Sequence, residues 1–261
     1  MSGRTIAIGD IHGDLAALDR LLARLPELDA QDTLVFIGDY VDRGPDSKGV
    51  VERVREVQRR WRAKVVCLRG NHEDKWIHCY EKADPTFMLP AGNGCTRTYR
   101  SYAGGPPLAP DESLDTAEYP RFFDVKSWMP ADVLYWLEDL ALWYEDDHAI
   151  YVHAGLEGEG HVWLHPSQSN PRNLLWCREP DFFANYAGKR LCFGHTQVKD
   201  LPKLQPKQPA SLPAQLLDRV LHRHESIWLH GDLIGLDTGC GKGGHLSAIE
   251  LPSGHVFDGK P

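Results

Sequence analysis

The sequence predicts an α/β protein built on a sheet that starts largely parallel. Two observations carry this. Short apolar runs alternate with stretches of helical periodicity through the first third of the chain. Each run then ends in small and polar residues, where ligands bind at the carboxyl edge of such sheets. The 261 residues are 42% hydrophobic and 25% charged, enough apolar content for a sizeable core in one large or two small domains.

Residues 5–8 form the first run and end in Gly9-Asp10. Leu15, Leu18, Leu22 and Leu25 follow at helical spacing. Residues 33–37 form the second run, ending in Gly38-Asp39, and Val50, Val54 and Val57 mark the next helix. Residues 64–68 form the third, ending in Arg69-Gly70-Asn71-His72 before another helix. Residues 85–130 are rich in glycine, proline and aromatic residues, and predict a partly helical insert packed over the scaffold. Later strands are expected at 149–152, 191–193, 226–229, 233–236 and 246–251. Four prolines between Asp200 and Gln215 predict an irregular loop, and 216–221 a short helix. Internal repeats are absent from the sequence.

The formal net charge of −8 argues against a large footprint on duplex nucleic acid. No apolar run approaches the length of a membrane span. The first ten residues lack the basic-then-apolar pattern of a secretory signal. Six cysteines are widely spaced and form no C-x-x-C pair, so they are expected to be reduced core residues. Together these features predict a cytoplasmic protein.

Polar groups recur at the strand ends. Asp10 and His12 follow the first strand, Asp39 and Asp42 the second, and Asn71 and His72 the third. His153 and His195 follow two later ones. Any one alone reads as a satisfied polar residue. Asp10, His12, Asp39, Asn71, His153 and His195 together offer mixed oxygen and imidazole ligands. That mixture suits Mn, Fe, Zn or Co better than an all-oxygen magnesium cage. Six such groups exceed the needs of one catalytic metal with an open position. They suit two divalent ions sharing a carboxylate, an arrangement that activates water and clamps a phosphoryl group.

Three segments carry a resemblance: Gly9-Asp10-Ile11-His12-Gly13, Gly38-Asp39-Tyr40-Val41-Asp42-Arg43-Gly44 and Arg69-Gly70-Asn71-His72-Glu73. They resemble the signature set of the PPP-type phosphoprotein phosphatases, which are calcineurin-like metallophosphoesterases. The likeness continues through His153-Ala154, Leu175-Trp176-Cys177-Arg178-Glu179, Gly194-His195-Thr196 and Leu236-Asp237-Thr238-Gly239. It is strongest towards the small bacterial and phage members, and the symmetrical dinucleoside tetraphosphate hydrolases are also similar. It leaves out residues 85–130 and 199–226.

The resemblance implies one domain over residues 1–261, with two mixed β-sheets packed as a sandwich and flanked by helices. It implies that Asp10, His12 and Asp39 hold one metal. Asp39 would bridge to a second, completed by Asn71, His153 and His195. Arg43 and Arg178 match the phosphate-binding arginines, whose forked donors fit phosphoryl oxygens. His72 matches the general acid and Asp42 the carboxylate that orients it. A histidine so held can deliver a proton at neutral pH. Taken alone, Arg178 reads as half of a surface ion pair.

Two substrate classes follow from the resemblance: phosphoproteins or other phosphomonoesters, and dinucleoside polyphosphates such as diadenosine tetraphosphate. Asp42 and Glu73 follow the protein-phosphatase pattern; tetraphosphate hydrolases commonly lack the first acid and carry Asp at the second. An alkoxide leaves poorly and needs a proton, whereas a nucleotide phosphate needs less help. Leu236-Asp237-Thr238-Gly239-Cys240 with Gly243-Gly244 and a following strand resembles the tetraphosphate hydrolases too. A catalytically dead scaffold ranks below both, since every ligand and the acid are present.

Three further patterns carry less. Gly239-Cys240-Gly241-Lys242-Gly243-Gly244 lacks the spacing of a phosphate loop and is expected to be a hairpin turn. His222 and His224 stand two apart and would diverge on a helix. Arg97, Tyr99, Arg100 and Tyr102 suit either substrate contact or a packed face. The long stretch 199–226, which begins just after His195, either borders the active-site mouth or is a tolerated surface insertion.

Overall fold

The computed structural model describes residues 3–109, 112–160, 162–203 and 227–261. One five-stranded sheet is built from β1 (Thr5–Ile8), β2 (Thr33–Phe36), β3 (Lys64–Cys67), β11 (Ser247–Leu251) and β12 (Val256–Asp258), in the order β12-β11-β1-β2-β3. β1, β2 and β3 run parallel, and β11 and β12 join antiparallel. The second contains β4 (Trp143–Glu145), β5 (Ile150–Val152), β8 (Leu191–Phe193), β9 (Trp228–His230) and β10 (Leu233–Gly235), in the order β4-β5-β8-β10-β9. A small hairpin of β6 (Gly158–Glu159) and β7 (Val162–Trp163) stands apart from both.

Strand periodicity explains why the two sheets stack. Ile6, Ile8, Leu34 and Phe36 face outward to a core shared with helices α1 (Leu15–Arg24), α2 (Ser47–Arg60) and α3 (Asn71–Lys82). The intervening Ala7 and Val35 face the other way. There they meet Tyr151, Cys192, Ile234, Leu236 and Ile249, so the second core lies between the sheets. Both faces of β1 and β2 are buried, and these two strands are accordingly near-continuous apolar runs. On the far side of the second sheet, Val152, Leu191 and Phe193 pack under the short helices α7 (Pro171–Trp176) and α8 (Pro180–Asn185).

The helix starts are locally encoded. Asp14 accepts the Ala17 N–H at 2.9 Å and Asp46 the Gly49 N–H at 2.8 Å, capping α1 and α2. Within residues 85–130 lie 3₁₀ turns, α4 (Cys95–Ala103) and α5 (Tyr119–Phe123), as expected of a partly helical insert; α6 (Ala131–Glu138) follows. Tyr99 is buried and meets Phe122 and Trp128 edge-on, while Arg100 pairs with Glu118 at 2.7 Å. Tyr99, Arg100 and Tyr102 therefore belong to a packed face, whereas Arg97 donates to the Arg43 carbonyl beside the site.

One expectation is corrected. Residues 239–244 do not turn a hairpin, because β10 belongs to the second sheet and β11 to the first. The segment crosses between the sheets and folds over His12. A Cβ at Gly241 would stand 2.4 Å from the His12 carbonyl oxygen, so no other residue fits there. The expected helix at 216–221, the pair His222 and His224, and most of the 199–226 stretch lie outside the described residues. All six cysteines are free and buried. Among the described residues no helix is long and apolar enough to cross a membrane.

Candidate metal centre

The five strand-end segments meet at one edge of the sandwich. β1 leads to Asp10 and His12, β2 to Asp39, Asp42 and Arg43, and β3 to Asn71 and His72 at the start of α3. From the second sheet, β5 leads to His153 and β8 to His195. Backbone bonds tie the segments together: Ile11 and His12 both donate to the Asp39 carbonyl, at 3.0 and 2.8 Å. His195 N–H donates to Asp10 Oδ2 at 3.0 Å, which joins the two sheets. This close approach requires glycine next door, since a Cβ at Gly194 would fall 1.9 Å from Asp10 Oδ1.

Backbone strain concentrates here. Among the described residues, six non-glycine positions have positive φ, and five are His12 (49°), Asp39 (54°), Asp42 (72°), Arg43 (67°) and His195 (63°). Such conformations persist only where the surroundings over-determine them, and they cluster at functional sites. Glu73 supplies part of that support. Its buried carboxylate accepts backbone N–H groups from Asp39, Tyr40, Val41 and Gly70 at 2.8 to 3.3 Å. Glu73→Ala would strand these donors. It should lower stability by about 3 kcal/mol or more, read as a fall in the urea midpoint.

The six predicted ligand residues are buried and adjacent. Ligand atoms of Asp10, Asp39 and His153 lie within 4.8 Å of one another, as do those of His12, Asp39 and His72. Asp39 is common to both groups. Its Oδ2 stands 3.4 Å from His12 Nε2 and its Oδ1 3.5 Å from His153 Nε2. Asn71 Oδ1 stands 2.9 Å from His153 Nε2 and 2.8 Å from His195 Nδ1.

The histidine orientations follow from their other nitrogens. His12 Nδ1 donates to the Val41 carbonyl at 3.0 Å, and His153 Nδ1 to the Ile37 carbonyl at 2.9 Å. In the neutral ring the Nε2 lone pair then points into the cluster. Burial pushes His12, His153 and His195 below the usual imidazole range, aided at His12 by the Arg43 guanidinium and at His195 by His153 and Arg178. Neutral rings with inward lone pairs are what a cation needs.

The carboxylates make the complementary demand. Burial, Asp237 and Asp39 push Asp10 well above the ordinary carboxylate range, and Asp10 Oδ1 is buried without a hydrogen-bond partner. Burial would raise Asp39 too, but the positive charge around it, with the Arg43 guanidinium among its sources, holds it below that range. Acceptor atoms thus converge with few donors between them, an arrangement a divalent cation satisfies.

The remaining predicted residues surround this cluster. His72 Nδ1 meets Asp42 Oδ2 at 2.6 Å, and the His72 ring sits edge-on to His12 at 4.9 Å. Arg43 hydrogen-bonds His12 Nε2 through Nη1. Arg178 donates through Nε to His195 Nε2 at 3.1 Å and through Nη2 to the His195 carbonyl at 3.2 Å, so it belongs to the site and is no surface ion pair. A cavity of about 400 Å³ opens over the cluster, lined by Arg43, Asn71, His72, Phe87, Trp176 and Arg178. Sequence reasoning missed Trp76, Thr98, Cys95 and Phe87, all in contact with the Asp42–His72 pair. Trp76 carried a signal, being one helical turn after His72; the insert residues carried none.

The chain is 35% identical over 97 residues to serine/threonine-protein phosphatase 1 of Salmonella typhimurium, covering 37% of this chain and 42% of that one. It is 26% identical to the symmetrical bis(5'-nucleosyl)-tetraphosphatase of Pectobacterium atrosepticum, across 97% of this chain and 93% of the relative. The fold matches a metallophosphoesterase structure from Sphaerobacter thermophilus with a TM-score of 0.52 at 18% identity, covering 99% and 87% of the two chains. The family model for calcineurin-like phosphoesterases matches residues 3–199, a span that takes in every residue of the cluster described above. This chain is a hydrolase that belongs to the calcineurin-like phosphoesterase family.

Proposed function

We propose that the protein is a phosphomonoesterase acting on phosphoproteins, with a pair of manganese ions held at the strand ends. Its family uses a dinuclear metal centre, and the clustered His and Asp groups suit one. Asp10, His12 and Asp39 would hold one ion, and Asn71, His153 and His195 the other, with Asp39 shared. Bound there, the ions supply Lewis-acid charge and a nucleophile drawn from water. Mixed oxygen and imidazole donors favour manganese over magnesium.

The observation that carries the substrate reading is the 2.6 Å bond between His72 and a fully buried Asp42. Asp42 holds the imidazole with Nδ1 occupied, leaving Nε2 to protonate a leaving oxygen. That assistance matters most for a serine or threonine alkoxide. Arg43 and Arg178, on the rim of the 400 Å³ cavity, bind the phosphoryl oxygens and offset charge as the bond breaks. The six free, buried cysteines support a reducing, cytoplasmic setting.

A second reading, hydrolysis of dinucleoside polyphosphates, has its own support. The match to the symmetrical tetraphosphatase runs nearly end to end. Beside the first cavity lies another of about 710 Å³, lined by Lys75, Arg172, Trp176 and Arg178 among others. There Lys75 Nζ stands 5.5 Å from the Trp176 ring, a pairing suited to a phosphate and a base.

The test uses chelated protein reloaded with manganese and offered a phosphopeptide panel and diadenosine tetraphosphate side by side. A higher kcat/KM on phosphopeptides is expected; the reverse would replace the first reading with the second. Chelation should remove activity on para-nitrophenyl phosphate. Manganese should restore it and raise the unfolding free energy, by about 2.7 kcal/mol at a hundredfold excess over Kd. A melting temperature indifferent to chelation and to manganese would exclude a resident metal.

A further inference from the structure

The Asp42 carboxylate is buried and takes hydrogen bonds from more than His72. Thr98 Oγ1 donates to Oδ1 at 2.6 Å, and Trp76 Nε1 lies 3.0 and 3.1 Å from Oδ1 and Oδ2. Thr98 acts twice, because its Oγ1 also accepts the Asp42 backbone N–H at 2.9 Å. Ser47 Oγ shares that N–H at 3.0 Å and lies 2.8 Å from the Thr98 hydroxyl. The single Thr98 proton is committed to Asp42, so Ser47 is the donor between the two hydroxyls.

This network holds an unfavourable backbone. Asp42 and Arg43 are consecutive non-glycine residues in the left-handed region, a conformation that needs outside support. Thr98 and Ser47 grip the Asp42 amide, and Thr98 and Trp76 grip its carboxylate. Trp76 lies four residues after His72 on α3, on the same face, and Trp128 braces its indole edge-on at 5.3 Å. From the insert, Phe87 meets the His72 ring edge-on at 5.1 Å.

We propose that Thr98 and Trp76 are positioning residues for the Asp42–His72 pair, and that one function of the insert is to aim the general acid. The proposal rests on the reading of His72 as that acid. Without the Thr98 hydroxyl, Asp42 loses a charge-assisted hydrogen bond and its backbone loses a partner. The carboxylate, then held chiefly by Trp76 and His72, is looser about χ2, and the imidazole it orients loses part of its aim at the leaving oxygen. Neither Thr98 nor Trp76 is hydrogen-bonded to the metal-ligand cluster, so metal loading should be retained.

The experiment compares Thr98→Val, Thr98→Ser, Trp76→Phe and His72→Asn with the parent, each loaded with manganese. The substrates are aryl phosphates of rising leaving-group pKa, from para-nitrophenyl to phenyl phosphate. Metal content and melting temperature are followed in parallel. Thr98→Val and Trp76→Phe should keep their metal. Each should lose roughly tenfold in kcat on phenyl phosphate but under about threefold on para-nitrophenyl phosphate, a steeper dependence on the leaving group. Thr98→Ser keeps the hydroxyl and should return the dependence to the parent value.

A steep dependence in His72→Asn with none in Thr98→Val and Trp76→Phe would overturn the positioning role and leave the acid reading standing. Equal loss across the series in His72→Asn would remove the acid reading, and the proposal with it. Failure of Thr98→Ser to rescue would mean that the hydroxyl does not act. Should Thr98→Val fail to fold, Trp76→Phe, which removes the indole N–H but keeps an aromatic ring in the core, decides the same question.

Discussion

Asp39→Asn should reduce turnover by roughly 10³-fold even at saturating manganese. That loss corresponds to about 4 kcal/mol of transition-state stabilisation at about 1.36 kcal/mol per decade. The size of the effect follows from position. Asp39 Oδ2 faces His12 and Oδ1 faces His153, so its two oxygens point to the two halves of the cluster. The carboxylate also accepts the His72 N–H at 3.1 Å, and its backbone is gripped by Glu73. Asn keeps the shape but removes the charge and replaces one acceptor by a donor facing a histidine lone pair. Metal stoichiometry by elemental analysis should fall along with kcat. Near-parent turnover at saturating metal would end the bridging assignment.

Asp42→Asn should slow phosphoserine hydrolysis by about 10²–10⁴-fold, the range for loss of general acid–base catalysis. Metal content should be spared, because Asp42 contacts His72, Trp76, Thr98 and Cys95 and none of the six proposed ligands. Para-nitrophenolate and nucleotide phosphates leave more readily, so their hydrolysis should lose less. The penalty should therefore grow with leaving-group pKa in a steady-state comparison of several substrates. A uniform loss across them would point to a collapsed site, and His72 would cease to be the acid. This variant removes the orienting carboxylate outright, which is why its expected effect exceeds that of Thr98→Val.

Periodicity and strand-end chemistry made the first half of the fold legible. β1, β2 and β3 are four-residue apolar runs, each followed by a helix of ten or more residues, so two periods alternate over enough length to be read. β6 and β7 escaped because two residues cannot display a period, and β4 and β12 because Trp143-Tyr144-Glu145 and Val256-Phe257-Asp258 are partly exposed and end in an acid, so neither reads as an apolar run. α7 and α8 escaped for a similar reason, being six residues each with proline at the first position. The hairpin expected at 239–244 does not form, because the turn chemistry that suggests it is local. Whether the strands on either side belong to one sheet is decided by long-range pairing.

By itself the sequence determined which residues are candidates for the chemistry. Oxygen and imidazole donors at five strand ends, with the arginines and the acid pair in their motifs, are properties of residue type and order. A parallel sheet sends its strand ends to one edge, which gathers Asp10, His12, Asp39 and Asn71; His153 and His195 join them only because the second sheet stacks on the first. Tertiary structure alone decided how the groups are held. The lone pairs of His12 and His153 aim inward only because the Val41 and Ile37 carbonyls take their other nitrogens. Arg178 proved to be a partner of His195, and Thr98 reached Asp42 across 56 residues of sequence. Hydrogen bonds and burial depend on distance in space, and contacts between segments far apart in the chain leave no period or motif in either one.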